Sequence, residues 1–108
     1  MDEETMARVL RFLNRVRERY PLQVAILFGS RARGDHFLDS DVDLLLVSES
    51  FAGVPFPDRP GPLYGEWEEE LPVEILCYTP EEFERGRHTL SVIREAVREG
   101  IYLIGESE

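Results

Sequence analysis

The order of apolar and polar residues predicts a helix at the start of the chain. From about Glu3 to Tyr20 the apolar residues recur at helical spacing, and Pro21 ends the pattern. The apolar stripe of this helix comprises Met6, Val9, Leu10, Leu13, Val16 and Tyr20. We expect the stripe to pack onto the core of the protein.

Three largely apolar runs predict strands, and the first two of these strands are expected to be buried. They extend over Leu22 to Phe28, Ser40 to Val47 and Pro72 to Tyr78. The first run is bounded by Pro21 and Gly29, and the second is polar at its start and purely apolar afterwards. Runs of this kind are typical of strands that are covered on both faces of a sheet.

The second half of the chain carries the signals of two more helices. Thr79-Pro80-Glu81-Glu82 places a capping residue, a proline and an acid where a helix begins. Thr89 to Arg98 is periodic, Gly100 ends it, and Ile101 to Ile104 allows a short final strand. These elements predict an α/β (α+β) fold, a small mixed sheet of three to four strands with helices packed against it, in one domain of residues 1–108.

The segment from Ser48 to Gly65 is expected to be a long loop without regular structure. Its prolines and glycines are Gly53, Pro55, Pro57, Pro60, Gly61 and Pro62. A loop of this length is unusual in so small a domain, which points to a functional or partner-facing segment.

The charge balance limits the kinds of partner. The formal net charge of -10 argues against extended nucleic-acid binding, because a nucleic-acid backbone needs clustered Lys and Arg. The 12 Lys and Arg residues are all arginine, which rules out chemistry that depends on a lysine. No apolar run is long enough to span a bilayer, and the acidic start lacks the features of a secretory signal. We therefore expect a cytoplasmic protein that binds no membrane.

Two acids at the start of the second predicted strand are the candidates for metal chemistry. Asp41 and Asp43 are two positions apart, so their side chains project from the same face of the strand. Two like charges held this close repel each other, and a divalent cation with oxygen ligands would offset the repulsion. Glu74, the lone acid in the third apolar run, is the candidate for a third carboxylate. The alternative for Glu74 is a solvent-facing position at a sheet edge.

The turn Gly29-Ser30 supplies the complementary chemistry. Glycine permits close approach of the backbone to a phosphate, and serine offers both an N–H and a hydroxyl. Arg31 and Arg33 have the charge to neutralise a triphosphate or a leaving pyrophosphate. Each piece alone has an ordinary alternative, since Asp-x-Asp often marks a strand mouth and arginines often balance an acidic surface. The combined order of strand, turn and paired acids is the more specific signal.

This stretch resembles a known family. GSRARG followed by SDVDLLLV is similar to the signature of the nucleotidyltransferase superfamily related to DNA polymerase beta. More narrowly, the chain resembles the minimal nucleotidyltransferases, small stand-alone proteins of bacteria and archaea. The leading helix, the third strand and the tail VIREAVREGIYLI are compatible with that family over nearly the whole chain, although only the signature is diagnostic.

The resemblance implies a role for each matching residue. The nucleotide-binding residues would be Gly29, Ser30, Arg31, Arg33 and Ser40. The catalytic carboxylates, which would also bind two Mg²⁺ ions, would be Asp41, Asp43 and Glu74. The family more usually has Asp at the last of these positions, and the longer glutamate puts turnover in doubt more than nucleotide binding.

The resemblance also implies a reaction and a partner. The reaction is transfer of AMP from ATP to an acceptor hydroxyl, which makes the protein an adenylyltransferase. In the family a small helical HEPN protein, a toxin, is the common partner, so the alternative is an antitoxin that acts by binding with little or no catalysis. Half of an aminoglycoside-type transferase fits less well, because it needs a second domain. The acceptor and the oligomeric state, a homo-oligomer included, stay open.

Overall fold

A four-stranded mixed sheet lies at the centre of the structure, a computed structural model that describes residues 3–34, 41–68 and 70–106. The strands, in the spatial order β3-β2-β1-β4, are β1 (Val24–Phe28), β2 (Val42–Val47), β3 (Val73–Tyr78) and β4 (Ile101–Ile104). β1 is antiparallel to both β2 and β4, whereas β2 and β3 are parallel. The predicted fold class and mixed sheet are confirmed.

Helices cover both faces of this sheet. They are α1 (Glu3–Arg17), α2 (Ser30–Arg33), α3 (Gly61–Tyr64), α4 (Pro80–Gly86) and α5 (Val92–Glu99). The apolar side of α1 packs with Leu44 and Leu46 of β2, while α4 and α5 pack with Leu45 and Val47 on the other face. Among the described residues, no helix is both long and apolar enough to cross a membrane.

β2 is buried on both faces, and this explains its uninterrupted apolar sequence. Alternate residues of a strand point to opposite faces. Leu44 therefore lies on the α1 face and Leu45 on the α4–α5 face, and both are 0% exposed. The same alternation places Asp43 on the α4–α5 face, at the start of the strand.

The stripe predicted for α1 needs one correction. Leu10 is 42% exposed, whereas Phe12, which the stripe omitted, is fully buried. Phe12 lies on the flank of α1 that meets Trp67, with the two rings edge to face and their centroids 5.4 Å apart. The buried side of α1 therefore includes Phe12, because Trp67 packs against it. Helical periodicity alone does not reveal a contact with so distant a residue.

The start of α4 was predicted correctly and the start of α5 was not. Thr79 Oγ1 accepts from the N–H of Glu82, and Glu82 Oε1 accepts from the N–H of Thr79, which completes a capping box. The last helix begins at Val92 instead of Thr89, because the hydroxyl of Ser91 caps it by accepting from the N–H of Arg94.

Residues 48–65, here called the edge segment, contain more regular structure than predicted. Two 3₁₀ turns (Glu49–Phe51 and Phe56–Asp58) and α3 lie within it, so the expectation of a loop without regular structure was wrong. Proline is compatible with the first turn of a helix, where its missing N–H has no partner to lose. Short helical turns can therefore form between the prolines.

The edge segment covers the outer edge of β3. The phenol oxygen of Tyr64 accepts from the N–H of Ile75 at 3.4 Å, and Arg59 Nη1 donates to the carbonyl of Cys77 at 3.2 Å. Unpaired edge groups of this kind are a template for unwanted strand pairing. The edge segment satisfies two of them from within the same chain.

Arg59 holds the edge segment to the sheet and to α4. It is 8% exposed, and its Nε donates to the carbonyl of Val54 at 2.8 Å. Its Nη1 and Nη2 donate to the two carboxylate oxygens of Glu82 at 2.5 and 3.2 Å. The guanidinium thus joins three parts of the chain through charge-assisted hydrogen bonds, which are the stronger kind.

We predict that Arg59→Ala lowers the free energy of unfolding by about 3 kcal/mol, because it removes these bonds and leaves Glu82 without its charge partner. Urea denaturation measures the change. Arg85→Ala is the matched control, since Arg85 is exposed and pairs with Glu81 at 3.8 Å; it should change stability by less than about 0.5 kcal/mol. Equal losses in the two variants would contradict the role given to Arg59.

Candidate active site

The predicted carboxylates meet where β2 begins. Asp43 is paired with Phe28, the last residue of β1, on one side and with Glu74 of β3 on the other. Asp41 lies two residues before Asp43, just outside the strand. Because β2 and β3 are parallel, partnered residues present their side chains on the same face. Asp41, Asp43 and Glu74 are called the carboxylate cluster below.

The members of the carboxylate cluster differ in exposure. Asp41 and Glu74 are exposed, and Asp43 is half-buried between them. Glu74 lies on an edge strand facing solvent and also directly beside Asp43, so its exposure does not decide whether it acts as a third carboxylate.

The electrostatics of the cluster centre on Asp43. The pKa of the Asp43 carboxyl is raised to about 6, first by burial and then by the negative charges of Glu74 and Asp41, and the positive charge of Arg33 opposes this shift. An acid whose ionised form is disfavoured by its neighbours gains when a cation arrives. The cluster therefore has the chemistry of a cation site.

Gly29 fits against Asp43. Its φ of 78° lies in the left-handed region, and a Cβ added there would overlap the carboxylate oxygen Oδ2 of Asp43. Both the backbone conformation and the space therefore require glycine. We expected glycine to allow close approach of a phosphate, whereas in the structure its lack of a side chain makes room for the Asp43 carboxylate.

The short helix α2 begins directly after Gly29. The carbonyl of Gly29 accepts from the N–H groups of Ala32 and Arg33, each at 3.1 Å. Gly34 ends the helix in the left-handed conformation, with its N–H donated to the carbonyl of Ser30 at 2.9 Å. One turn of helix thus presents Ser30 at its start and places the two arginines on different sides.

Arg31 is placed differently from the nucleotide ligand we expected. It is 3% exposed, and its Nη1 donates to Oγ1 of Thr5 at 3.1 Å. Arg31 therefore joins α2 to α1. Its side chain is buried in this contact and is not presented to a nucleotide. Thr5 was not singled out from the sequence, although it falls at helical spacing with the buried Val9 and is itself 3% exposed.

Arg33 is the arginine that faces the carboxylate cluster. It is exposed, its positive charge acts on the pKa of Asp43, and its Nη1 lies 3.9 Å from Oε2 of Glu99. Glu99, the last residue of α5, had no signal in the sequence that would link it to the site. Ser40, the remaining residue of the predicted set, lies outside the described residues.

The carboxylate cluster is not a preformed metal cage. Within the part of the chain that the structure describes, no three His, Cys, Asp or Glu side chains converge closely enough to hold a metal ion. The donor chemistry nevertheless fits a hard cation, because carboxylate oxygens are the ligands that magnesium takes in proteins and it fills its other positions from substrate and water.

A cleft of about 640 Å³ opens at the other end of β2 and β3, lined in part by Arg59, Thr79 and Glu82. The polar groups of these three residues bond to one another. The chemistry therefore favours the carboxylate cluster over this cleft as the candidate site.

Comparisons with known proteins identify the family and the fold of the chain. The family model described as "Nucleotidyltransferase domain" matches residues 9–103. A crystal structure of a candidate nucleotidyltransferase from Sulfolobus solfataricus is similar, with 20% identity, a TM-score of 0.61, and 94% of this chain and 86% of that chain covered. A chain of a toxin–antitoxin crystal structure with AMP-PNP has 21% identity and a TM-score of 0.60, with 93% of this chain and 73% of that chain covered. The two likenesses show a shared fold. No curated protein matches the chain.

We predict that Asp43→Asn stabilises the metal-free protein at pH 7.5. The pKa of Asp43 is about 6 in the fold against an ordinary 3.8, so ionisation is penalised in the folded state. That penalty is complete above about pH 6 and disappears as the pH falls towards 3.8. The gain should be about 1 kcal/mol after allowance for solvent screening, and it should shrink between these two pH values.

Thermal unfolding in the presence of EDTA at several pH values measures this effect. Asp58→Asn, at an exposed acid of the edge segment, is the control for the loss of one charge. A gain that is equal in both variants, or that does not change with pH, would refute the explanation.

We also predict that Thr5→Val costs about 2 kcal/mol of unfolding free energy, since it removes one acceptor from a buried guanidinium while keeping the side-chain shape. Urea denaturation measures the loss. The matched control is Thr89→Val at an exposed threonine, for which we expect a change below about 0.5 kcal/mol. Similar values for the two variants would argue against the Thr5–Arg31 bond as a stabilising contact.

Proposed function

Since the chain belongs to the nucleotidyltransferase domain family, we propose that it transfers AMP from ATP to an acceptor hydroxyl at the carboxylate cluster. The observation that carries this proposal is the register of the sheet. It brings Asp43 beside Glu74 and against Gly29, so that acids from two strands lie at the start of the turn that would hold the triphosphate.

The carboxylate cluster would bind two Mg²⁺ ions. Asp41 and Asp43 would be shared ligands, and Glu74 would complete the site nearer the acceptor. Bound magnesium supplies charge neutralisation at the phosphates and a lower pKa for the acceptor hydroxyl. The raised pKa of Asp43, caused first by burial and then by the charges of Glu74 and Asp41, supports this assignment, because a bound cation would favour the ionised form.

The chain's own residues would bind and orient the nucleotide. Gly29 and Ser30 would approach the triphosphate through the backbone and the serine hydroxyl. Arg33 would neutralise charge on the triphosphate and on the leaving pyrophosphate. Catalysis of this kind depends mostly on positioning and charge, which suits a site held by strand register and one short helix.

The acceptor hydroxyl would belong to a partner protein. A structurally similar chain comes from a toxin–antitoxin structure with AMP-PNP, and a HEPN-type toxin is the partner that we propose. The exposure of Asp41 and Glu74 supports access by a large acceptor. The acidic charge of -10 suits a basic partner surface better than a nucleic acid.

The second candidate is an antitoxin that acts by binding alone. Two observations favour it, namely the glutamate at position 74 and the absence of a converged metal cage among the described residues. In this candidate the carboxylate cluster would contribute nothing to neutralisation of the partner.

Isothermal titration calorimetry with ATP and Mg²⁺ tests the proposal. We expect binding that requires Mg²⁺ and that falls at least about tenfold in the Asp41→Ala, Asp43→Ala double variant, because each lost carboxylate removes a charge-assisted ligand. Asp58→Ala is the control, because Asp58 is an exposed acid of the edge segment and not a member of the carboxylate cluster.

The same double variant separates the two candidates when a partner is present. Loss of neutralisation with the complex still formed supports transfer of AMP, whereas full neutralisation supports binding alone. Failure of the folded wild type to bind ATP with Mg²⁺, with the partner added, would refute the transferase.

A further inference from the structure

The two arginines of α2 differ in their freedom to move. Arg31 is 3% exposed and hydrogen-bonded to Thr5 of α1, so a new partner would require it to leave a buried contact. The Arg33 side chain is 43% exposed, and its ion pair with Glu99 spans 3.9 Å. Of the two, Arg33 is the one whose pairing with Glu99 can open without breaking the buried contact between α2 and α1.

The ion pair of Arg33 is of the kind that exchanges easily. The Glu99 side chain is 48% exposed, and exposed pairs contribute only about 0.2–1 kcal/mol. A triphosphate offers several charged oxygens in a geometry that a guanidinium binds with two parallel hydrogen bonds. A nucleotide at the Gly29-Ser30 turn would therefore outcompete the exposed carboxylate of Glu99.

The backbone at Glu99 is held in a fixed place beside the turn. Gly100, the next residue, packs so closely against β1 that an added Cβ would overlap Ile26 and the carbonyl of Leu27. β1 continues directly into Phe28 and Gly29. The end of α5 and the start of α2 are thus fixed to the same strand, which keeps Glu99 within reach of Arg33.

We infer that Glu99 is a resting partner of Arg33 and competes with the nucleotide triphosphate for it. This inference rests on the proposed function and assigns a positioning role to a residue outside the signature. Before a nucleotide binds, Glu99 would hold the arginine beside the carboxylate cluster, and it would lower the affinity for the nucleotide because the ion pair must open on binding.

A double-mutant cycle in nucleotide affinity tests the inference. Calorimetric titration of ATP with Mg²⁺ is made into the wild type, Glu99→Gln, Arg33→Ala and the double variant. Glu99→Gln should tighten binding about two- to fivefold, which is the fold-change equivalent of an exposed ion pair. In the Arg33→Ala background the same substitution should change the affinity by less than about 1.5-fold, because the competition no longer exists.

Glu95→Gln is the matched control. Glu95 lies one turn earlier on α5 and is exposed, so this substitution removes the same charge from the same helix. We expect it to leave the affinity within about 1.5-fold of the wild type, since screening weakens the field of a distant surface charge.

The outcomes separate the inference from the proposed function. Wild type that binds the nucleotide while Glu99→Gln behaves like Glu95→Gln overturns the inference alone. Equal tightening by Glu99→Gln with and without Arg33 also overturns it, because the effect would then come from the general field. Wild type that binds no nucleotide overturns the proposed function, and this inference with it.

Discussion

The register of β2 between its two neighbours is the constraint on which the site depends. The pairing of Asp43 with Phe28 fixes the distance from the strand to the Gly29 turn, and the pairing with Glu74 fixes the position of the third carboxylate. A slip of one residue would turn Asp43 towards α1 and would bring Val42 or Leu44 to the site. The apolar residues of β2 are buried on both faces and prevent such a slip, because every side chain of the strand would move to the opposite face and would have to pack there against different neighbours.

The carboxylates that repel one another and the contacts of Arg59 that stabilise the fold lie at opposite ends of the same two strands. The carboxylate cluster lies at the start of β2 and β3, where Asp43 is penalised by burial and by its neighbours. Arg59 lies at the far end of the same strands, where its bonds to Glu82 and to the carbonyl of Cys77 hold the edge segment. An unfavourable site of this kind persists when the surrounding structure outweighs it, and the contacts of Arg59 are part of that surrounding structure.

Much of the fold was predictable because its signals are local. Strand runs, a capping box at Thr79 and a glycine turn are all encoded by residues close in sequence, and the structure confirms the sheet and its helices. The order of strand, turn and paired acids likewise predicted the family, which the match over residues 9–103 bears out. The roles of the individual site residues stay predictions.

The parts that sequence reasoning missed depend on contacts between distant residues. The difference between Arg31 and Arg33 is set by Thr5, 26 positions earlier, and by Glu99 at the end of the last helix. The burial of Phe12 depends on Trp67, and the function of the edge segment depends on Tyr64 and Arg59 reaching β3. None of these pairs leaves a periodic or short-range pattern in the sequence.

The covered edge of β3 has a consequence for how the protein can be combined with others. The strand that carries Glu74 already has its outward N–H at Ile75 and its outward carbonyl at Cys77 bonded within the chain. A partner strand that paired with these two groups would have to break both bonds, which favours an approach to the carboxylate cluster with side chains from above the α4–α5 face. The same two hydrogen bonds thus protect part of the edge strand and would influence the direction from which a partner approaches the site.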